Sequence, residues 1–238
     1  MADLTNVRAL TFDVFGTVVD WRGCIAREVQ AMLEPKGVAL DWGAFASAWR
    51  KPYPVVMEEV RSGRRGYVTM DVLHREMLEG ALAEFGVTGL DETEKHRLTM
   101  AWRRLDPWPD AIEGMQRLTA RFAVAALSNG NIALVLAMAK RAGIPWDVIL
   151  GAELVRTYKP DPAIYDSAPR FLDLSSQQVM MVACHPWDLD AAKARGLRTA
   201  YVHRPLEWGP GTERPLPSPG DYDVIVNDFV ELADVLGA

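Results

Sequence analysis

The chain has 238 residues, 49% hydrophobic and 24% charged, with a formal net charge of -6. That is room for one large α/β domain, or for a core carrying a smaller insertion, and it excludes intrinsic disorder, which needs low hydrophobicity and high net charge. The acidic balance disfavours a nucleic-acid partner, no uncharged apolar run approaches the ~20 residues of a membrane helix, and two cysteines, Cys24 and Cys184, are too few for a disulfide scaffold.

Residues 7–12 are short, apolar and β-prone, and run into Asp13-Val14-Phe15-Gly16-Thr17. A buried strand whose loop delivers a carboxylate is the simplest reading. From 21 to 104 apolar residues recur at helical spacing: Ile25, Val29, Met32 and Leu33, then Val56, Met57 and Val60, then Met70, Leu73, Met77 and Leu78. This block reads as about four amphipathic helices with no strand pair. The arginines at 61, 64 and 65 fall on a polar joint and read as a solvated helix end.

After Pro107-Trp108-Pro109 strands and helices alternate. Helix is expected over 111–120, with Asp110 as its cap, and strand over 122–127, ending in Ser128-Asn129-Gly130. Helix follows over 132–142, strand over 148–152 and helix over 162–172. A strand over 179–183 ends in Cys184-His185-Pro186-Trp187-Asp188, and 190–195 is helical up to Gly196. Strands at 199–202 and 223–226 and a helix at 229–236 complete the chain. The Gly- and Pro-rich stretch 207–221 reads as an exposed loop. Such alternation implies a mostly parallel sheet covered on both faces.

Ligands of open parallel sheets bind beyond the carboxyl ends of the strands. The first strand end supplies Asp13 and Thr17, the second Ser128 and Asn129. After the third come Lys159 and, six residues on, Tyr165. The fourth supplies His185, Trp187 and Asp188. Four polar strand ends suggest one assembled site.

These segments, Asp13-Val14-Phe15-Gly16-Thr17, Leu127-Ser128-Asn129-Gly130, Tyr158-Lys159-Pro160-Asp161 and Trp187-Asp188, resemble in order and spacing the four motifs of the haloacid dehalogenase superfamily. The resemblance covers nearly the whole chain. It implies a Rossmann-like α/β core over 1–20 and 105–238, with an inserted all-helical cap over 21–104. Most of the superfamily are Mg-dependent phosphatases with a first motif of the form D-x-D-x-T, whose second Asp protonates the leaving group. Here Phe15 stands at that place, and a phenyl ring transfers no proton. The acidic metal ligand that phosphatases keep after the fourth strand is replaced by Ala183-Cys184-His185, sulfur and imidazole where a hard cation wants oxygen.

The L-2-haloacid dehalogenase branch is more similar: its first motif reads D-x-[FY]-G-T and it needs no metal or other cofactor. The resemblance implies hydrolytic dehalogenation of a short 2-haloacid through an ester on Asp13. Lys159 would keep Asp13 ionised and Thr17 would orient it. Ser128, with the N–H groups of Val14 and Phe15, would hold the substrate carboxylate, and Tyr165 would support that end. Arg50, in the cap sequence Ala48-Trp49-Arg50, would bind halide with Asn129 and Trp187. Asp188 would orient Lys159 or the hydrolytic water. The fourth motif departs from the family's S-x-N-x-[WF]-D: Ala183 and His185 replace Ser and Asn. A neutral His185 can act as general base, and its bulk narrows the halide pocket, which favours a small leaving group such as fluoride from fluoroacetate. Cys184 reads as an inert buried thiol. The expected partners are the small anionic haloacid and halide, with no nucleic acid or membrane; the resemblance allows a homodimer, and a cytoplasmic location fits the cysteine usage. The alternatives are a Mg-dependent phosphatase and a non-catalytic binder of small carboxylates.

Overall fold

The computed structural model describes residues 4–212 and 214–238; the remaining parts of the N-terminal segment and of the 207–221 loop lie outside the described residues. Strand β1 (Ala9–Phe12) is followed by five helices: α1 (Trp21–Leu33), α2 (Trp42–Arg50), α3 (Tyr53–Arg61), α4 (Met70–Glu84) and α5 (Glu92–Thr99). Alternation then resumes with α6 (Ala111–Thr119), β2 (Ala123–Ser128), α7 (Ile132–Ala142), β3 (Val148–Gly151), α8 (Ala152–Val155) and α9 (Pro162–Leu172). The chain finishes with β4 (Val179–Ala183), α10 (Pro186–Ala194), β5 (Arg198–Val202), β6 (Val224–Val226) and α11 (Phe229–Leu236). The expected α/β fold is present. Among the described residues no helix is long and apolar enough to cross a membrane.

The six strands form one sheet in the order β3-β2-β1-β4-β5-β6, and every pairing is parallel. β1 and β4 are buried along their whole length, which is why both read as continuous apolar runs rather than as alternating ones. From β1 the chain winds outward to β2 and β3, then returns to build β4, β5 and β6 on the other side. The crevice where the winding reverses therefore lies over the carboxyl ends of β1, β2 and β4. Register aligns those ends: Phe12 pairs with both Ala126 and Val182, and Ser128 pairs with Gly151. Gly151 has φ +138, and a Cβ there would come within 2.0 Å of the Ser128 carbonyl, so only glycine lets β3 approach the end of β2.

Local signals set most helix ends. Asp161 caps α9 through the Ala163 N–H and Asp228 caps α11 through that of Glu231, while Gly143 and Gly237 close α7 and α11 in the left-handed region. Residues 21–104 hold five helices, where about four were expected. Three expectations need correction. The helix expected over 190–195 begins at Pro186. Residue 152 begins α8 instead of ending β3. Asp110 stands at the start of α6, but its carboxylate accepts from Arg204 at 2.7 and 2.8 Å and from the Phe229 N–H at 2.9 Å. A buried guanidinium outcompetes a local cap because a bidentate ion pair is the stronger bond.

Between residues 21 and 103 helices and short helical turns are joined by loops, and no described residue lies in a strand. This part is packed around Phe45, Trp49, Leu73 and Leu78, all fully buried, with Trp49 Nε1 donating to the His74 carbonyl at 2.8 Å. It is fastened to the rest by Asn131 on Asp71, by Tyr158 OH on the Val68 carbonyl and by Arg61 Nη1 on the Lys159 carbonyl at 2.7 Å. Arg61 is thus not merely a solvated helix end: it ties α3 to the loop that carries Lys159.

Candidate active site

Asp13 leaves β1 with its N–H on the Val182 carbonyl, so the β4 ladder sets where its side chain stands. It is 7% exposed. Oδ2 accepts from Thr17 Oγ1 at 2.8 Å and lies 3.0 Å from His185 Nδ1; Oδ1 lies 3.3 Å from Lys159 Nζ. Thr17 has one proton to give. Its oxygen already accepts from the Cys184 N–H at 3.0 Å, which points that proton at Asp13. Burial alone would raise the Asp13 carboxyl, but Lys159, His185 and Thr17 outweigh it and hold the group well below the usual carboxylate range.

Lys159 is fully buried and bridges two carboxylates, Asp13 and Asp188, the latter at 2.6 Å. Burial works against its charge, but Asp188 and Asp13 together raise it. The other oxygen of Asp188 accepts from Tyr165 OH at 2.6 Å. Burial leaves Asp188, not Asp13, as the carboxylate pushed up. Tyr165 therefore orients Asp188, and through it Lys159, within a closed network.

Ser128 Oγ accepts from the Gly130 N–H at 3.0 Å, which leaves its own proton to donate. Asn129 Oδ1 accepts the Lys159 N–H at 2.8 Å, so the Nδ2 end faces α3, 3.3 Å from Met57 Sδ. Arg50, the last residue of α2, is 8% exposed. Its guanidinium sits 4.3 Å from the Tyr53 ring centroid, 4.8 Å from Trp21 and 5.7 Å from Phe15, and Nη1 has no hydrogen-bond partner among the described residues. An aromatic box holds this cation and leaves donors free for an anion. Trp187 takes no part in that box; it is 44% exposed and stacks on His185, with centroids 5.8 Å apart.

His185 departs from expectation. Its ring lies between Asp13 Oδ2 on Nδ1 and Glu207 Oε1 on Nε2, the latter at 2.9 Å. Burial alone would favour the neutral ring. Cys184, Glu207 and Asp13 act the other way, and burial keeps the Cys184 thiol protonated. Together these groups outweigh burial and hold His185 well above its usual value, so with Asp13 free the imidazolium is favoured over a neutral base.

Glu207 is the residue that sequence reading missed. It opens the loop taken as exposed, yet is 3% exposed. Cys184, His185 and Glu207 are also the described groups a soft metal would choose, with ligand atoms within 4.8 Å of one another. Their contacts are those of a hydrogen-bonded row, and oxygen ligands for a hard cation are already taken by Lys159, Thr17 and His185.

Comparison with known proteins identifies the family. The model of the haloacid dehalogenase-like hydrolase family matches residues 7–196. The (S)-2-haloacid dehalogenase 1 of Pseudomonas sp. (strain CBS-3) is 32% identical over 203 residues, covering 83% of this chain and 85% of that one. The crystal structure of the L-2-haloacid dehalogenase PA0810 is 46% identical with a TM-score of 0.92, over 97% of this chain and 99% of its own. That of the defluorinating L-2-haloacid dehalogenase Rha0230 is 45% identical with a TM-score of 0.93, over 98% of this chain and 96% of its own. With a family match across most of its length and the polar strand ends drawn together around Asp13, the chain belongs to the haloacid dehalogenase-like hydrolases.

Proposed function

We propose that the protein hydrolyses short 2-haloalkanoic acids to 2-hydroxy acids and halide, through an ester on Asp13 and without a metal. The observation that carries this reading is the state of Asp13: a buried carboxylate kept ionised by Lys159, with a boxed, partly unpaired Arg50 on the insertion side. Oδ1, bound among the described residues only by the long Lys159 contact, is the freer oxygen for attack on the halogen-bearing carbon. Ser128 Oγ–H and the N–H groups of Val14 and Phe15 hold the substrate carboxylate. Arg50 and the Asn129 amide receive the departing halide, donors aimed where charge develops. Tyr165 and Asp188 act behind Lys159. Water then hydrolyses the ester at the Asp13 carboxyl carbon.

The dehalogenase relatives support the substrate class, and the defluorinating one, at 45% identity, supports acceptance of a small fluorinated acid such as fluoroacetate. The phosphatase reading is not favoured, because buried Phe15 offers no proton where that chemistry needs one. We take residues 21–104 as a cap over a core of 1–20 and 105–238. Since Asp13, Lys159, Arg50 and Asp188 are all buried, the cap helices must part from the core to admit substrate. The resemblance also leads us to expect a cytoplasmic homodimer, which light scattering and cell fractionation would check.

The test is ion chromatography of halide from chloroacetate, 2-chloropropionate and fluoroacetate in the presence of a chelator, beside phosphate release from an aryl phosphate with Mg. Halide release without phosphate release is expected. Phosphate release alone overturns the reading, and chloride without fluoride at long incubation removes the fluoroacetate part.

A further inference from the structure

The mechanism above gives Glu207 no role, although the chain places it with care. The carboxylate is buried where Oε1 meets His185 Nε2 at 2.9 Å and accepts from Trp21 Nε1 at 3.2 Å. It stands over Gly16, where φ is +92 and a Cβ would come within 2.4 Å of Oε1, so the first motif leaves room for it by lacking a side chain. His185 Nδ1, on the opposite edge of the ring, is 3.0 Å from Asp13 Oδ2. Glu207, His185 and Asp13 thus form one row, ending at the carboxyl group that becomes the ester.

We propose that Glu207 is a positioning residue for the second half-reaction: held through Nε2, His185 presents Nδ1 to the Asp13 ester and takes the proton of the water that hydrolyses it. This rests on the ester reading of Asp13. The protons balance as follows. Attack of Asp13 on the carbon forms a C–O bond, breaks the C–halogen bond and removes the carboxylate charge beside Nδ1. His185, no longer held by two anions, releases the Nδ1 proton to solvent, the one acid equivalent the net reaction produces. Water then adds to the Asp13 carboxyl carbon as Nδ1 takes its proton. The C–O bond to the hydroxy acid breaks, the alkoxide collects that proton, and the remaining carboxylic proton passes to Nδ1. Asp13 and an imidazolium are regenerated. Glu207 stabilises the imidazolium each time it forms, as a buried carboxylate does behind a catalytic histidine. The charged and titratable groups around this ring are Asp13 from the first motif, Cys184, Glu207 and Tyr201, with Arg50 from α2 acting on Glu207. Of these, only Asp13 changes charge when the ester forms.

The test compares wild type with Glu207→Gln under rapid quench, using chloroacetate. Wild type is expected to release halide in steady turnover, with one product oxygen per site drawn from Asp13. The variant is expected to release one equivalent of chloride per site at a near-normal rate and then stall. Its kcat falls about 100-fold, and intact mass shows the acylated protein accumulating. Its acid limb in kcat moves to lower pH, because a ring without Glu207 loses its proton more readily; a merely structural defect would lower the rate and leave the limb in place. Should Glu207→Gln fold poorly by circular dichroism, Glu207→Asp, which keeps the charge but draws it back by one methylene, is expected to stall in the same way and more mildly. Ordinary turnover without acylated protein, no chloride burst in a folded variant, or an unmoved acid limb overturns the proposal. Wild type failing to show the Asp13 oxygen would instead overturn the ester reading beneath it.

Discussion

The two halves of the site are built on opposite principles. On the core side, Asp13, Thr17, Lys159, Tyr165 and Asp188 form a closed network in which the main bonds are already made. On the insertion side, Arg50 is held by the faces of Tyr53, Trp21 and Phe15 and keeps a nitrogen unpaired. A satisfied network fixes geometry and charge state; a desolvated cation with free donors is ready for an anion that does not yet exist. On the proposed reading, the nucleophile is preorganised in the core, and the leaving-group site would arrive with the helices proposed to close over it.

Predictions that test this contrast begin where the effect is largest. Asp13→Asn keeps the shape of the side chain but removes the nucleophile; halide release should fall by about 10⁴-fold or more by ion chromatography. Lys159→Met should show the core half as structural as well as chemical. It leaves Asp188 and Asp13 buried without their shared cation, and urea unfolding should register a loss of about 3–5 kcal/mol. Arg50→Lys should separate the halves. The ammonium cannot reproduce the stacked guanidinium, so kcat should drop about 100-fold while stability changes little. If Arg50→Lys destabilised the protein as much as Lys159→Met, the contrast would fail.

Much of this was legible in the sequence, for reasons that can be named. β4, α7, α9 and α11 have the predicted ends because burial on both faces writes a continuous apolar run, and caps such as Asp161, Asp228, Gly143 and Gly237 mark helix boundaries within a few residues. The strand-end residues were legible because parallel topology brings such ends together. Glu207 was not. It sits in a Gly- and Pro-rich stretch, and what buries it is room above Gly16, far away in sequence. The charge of His185 was hidden for the same reason, since it depends on Glu207. Asp110 had the look of a cap, and only the fold brings Arg204 to it.

Two smaller effects sharpen the picture. The depressed Asp13 stabilises the folded state fully above the unfolded carboxylate value of about 3.9. That contribution is lost as pH falls through the lower folded value, so Asp13 stays ionised at any pH near neutrality, and unfolding midpoints should begin to reflect it only below about pH 4. Arg61→Ala removes the bond from α3 to the Lys159 carbonyl, worth about 1 kcal/mol. It should raise KM a few-fold with kcat nearly unchanged, since the bond seats the insertion rather than the reacting atoms.

Attack of Asp13 on carbon is the central step of the proposed reaction. A single turnover of excess enzyme with chloroacetate in ¹⁸O-water reads this directly by mass spectrometry. The hydroxy acid formed should carry ordinary oxygen, and the label should appear in the peptide containing Asp13. Label found at once in the hydroxy acid, with none in that peptide, would mean that water attacks carbon and would contradict the account.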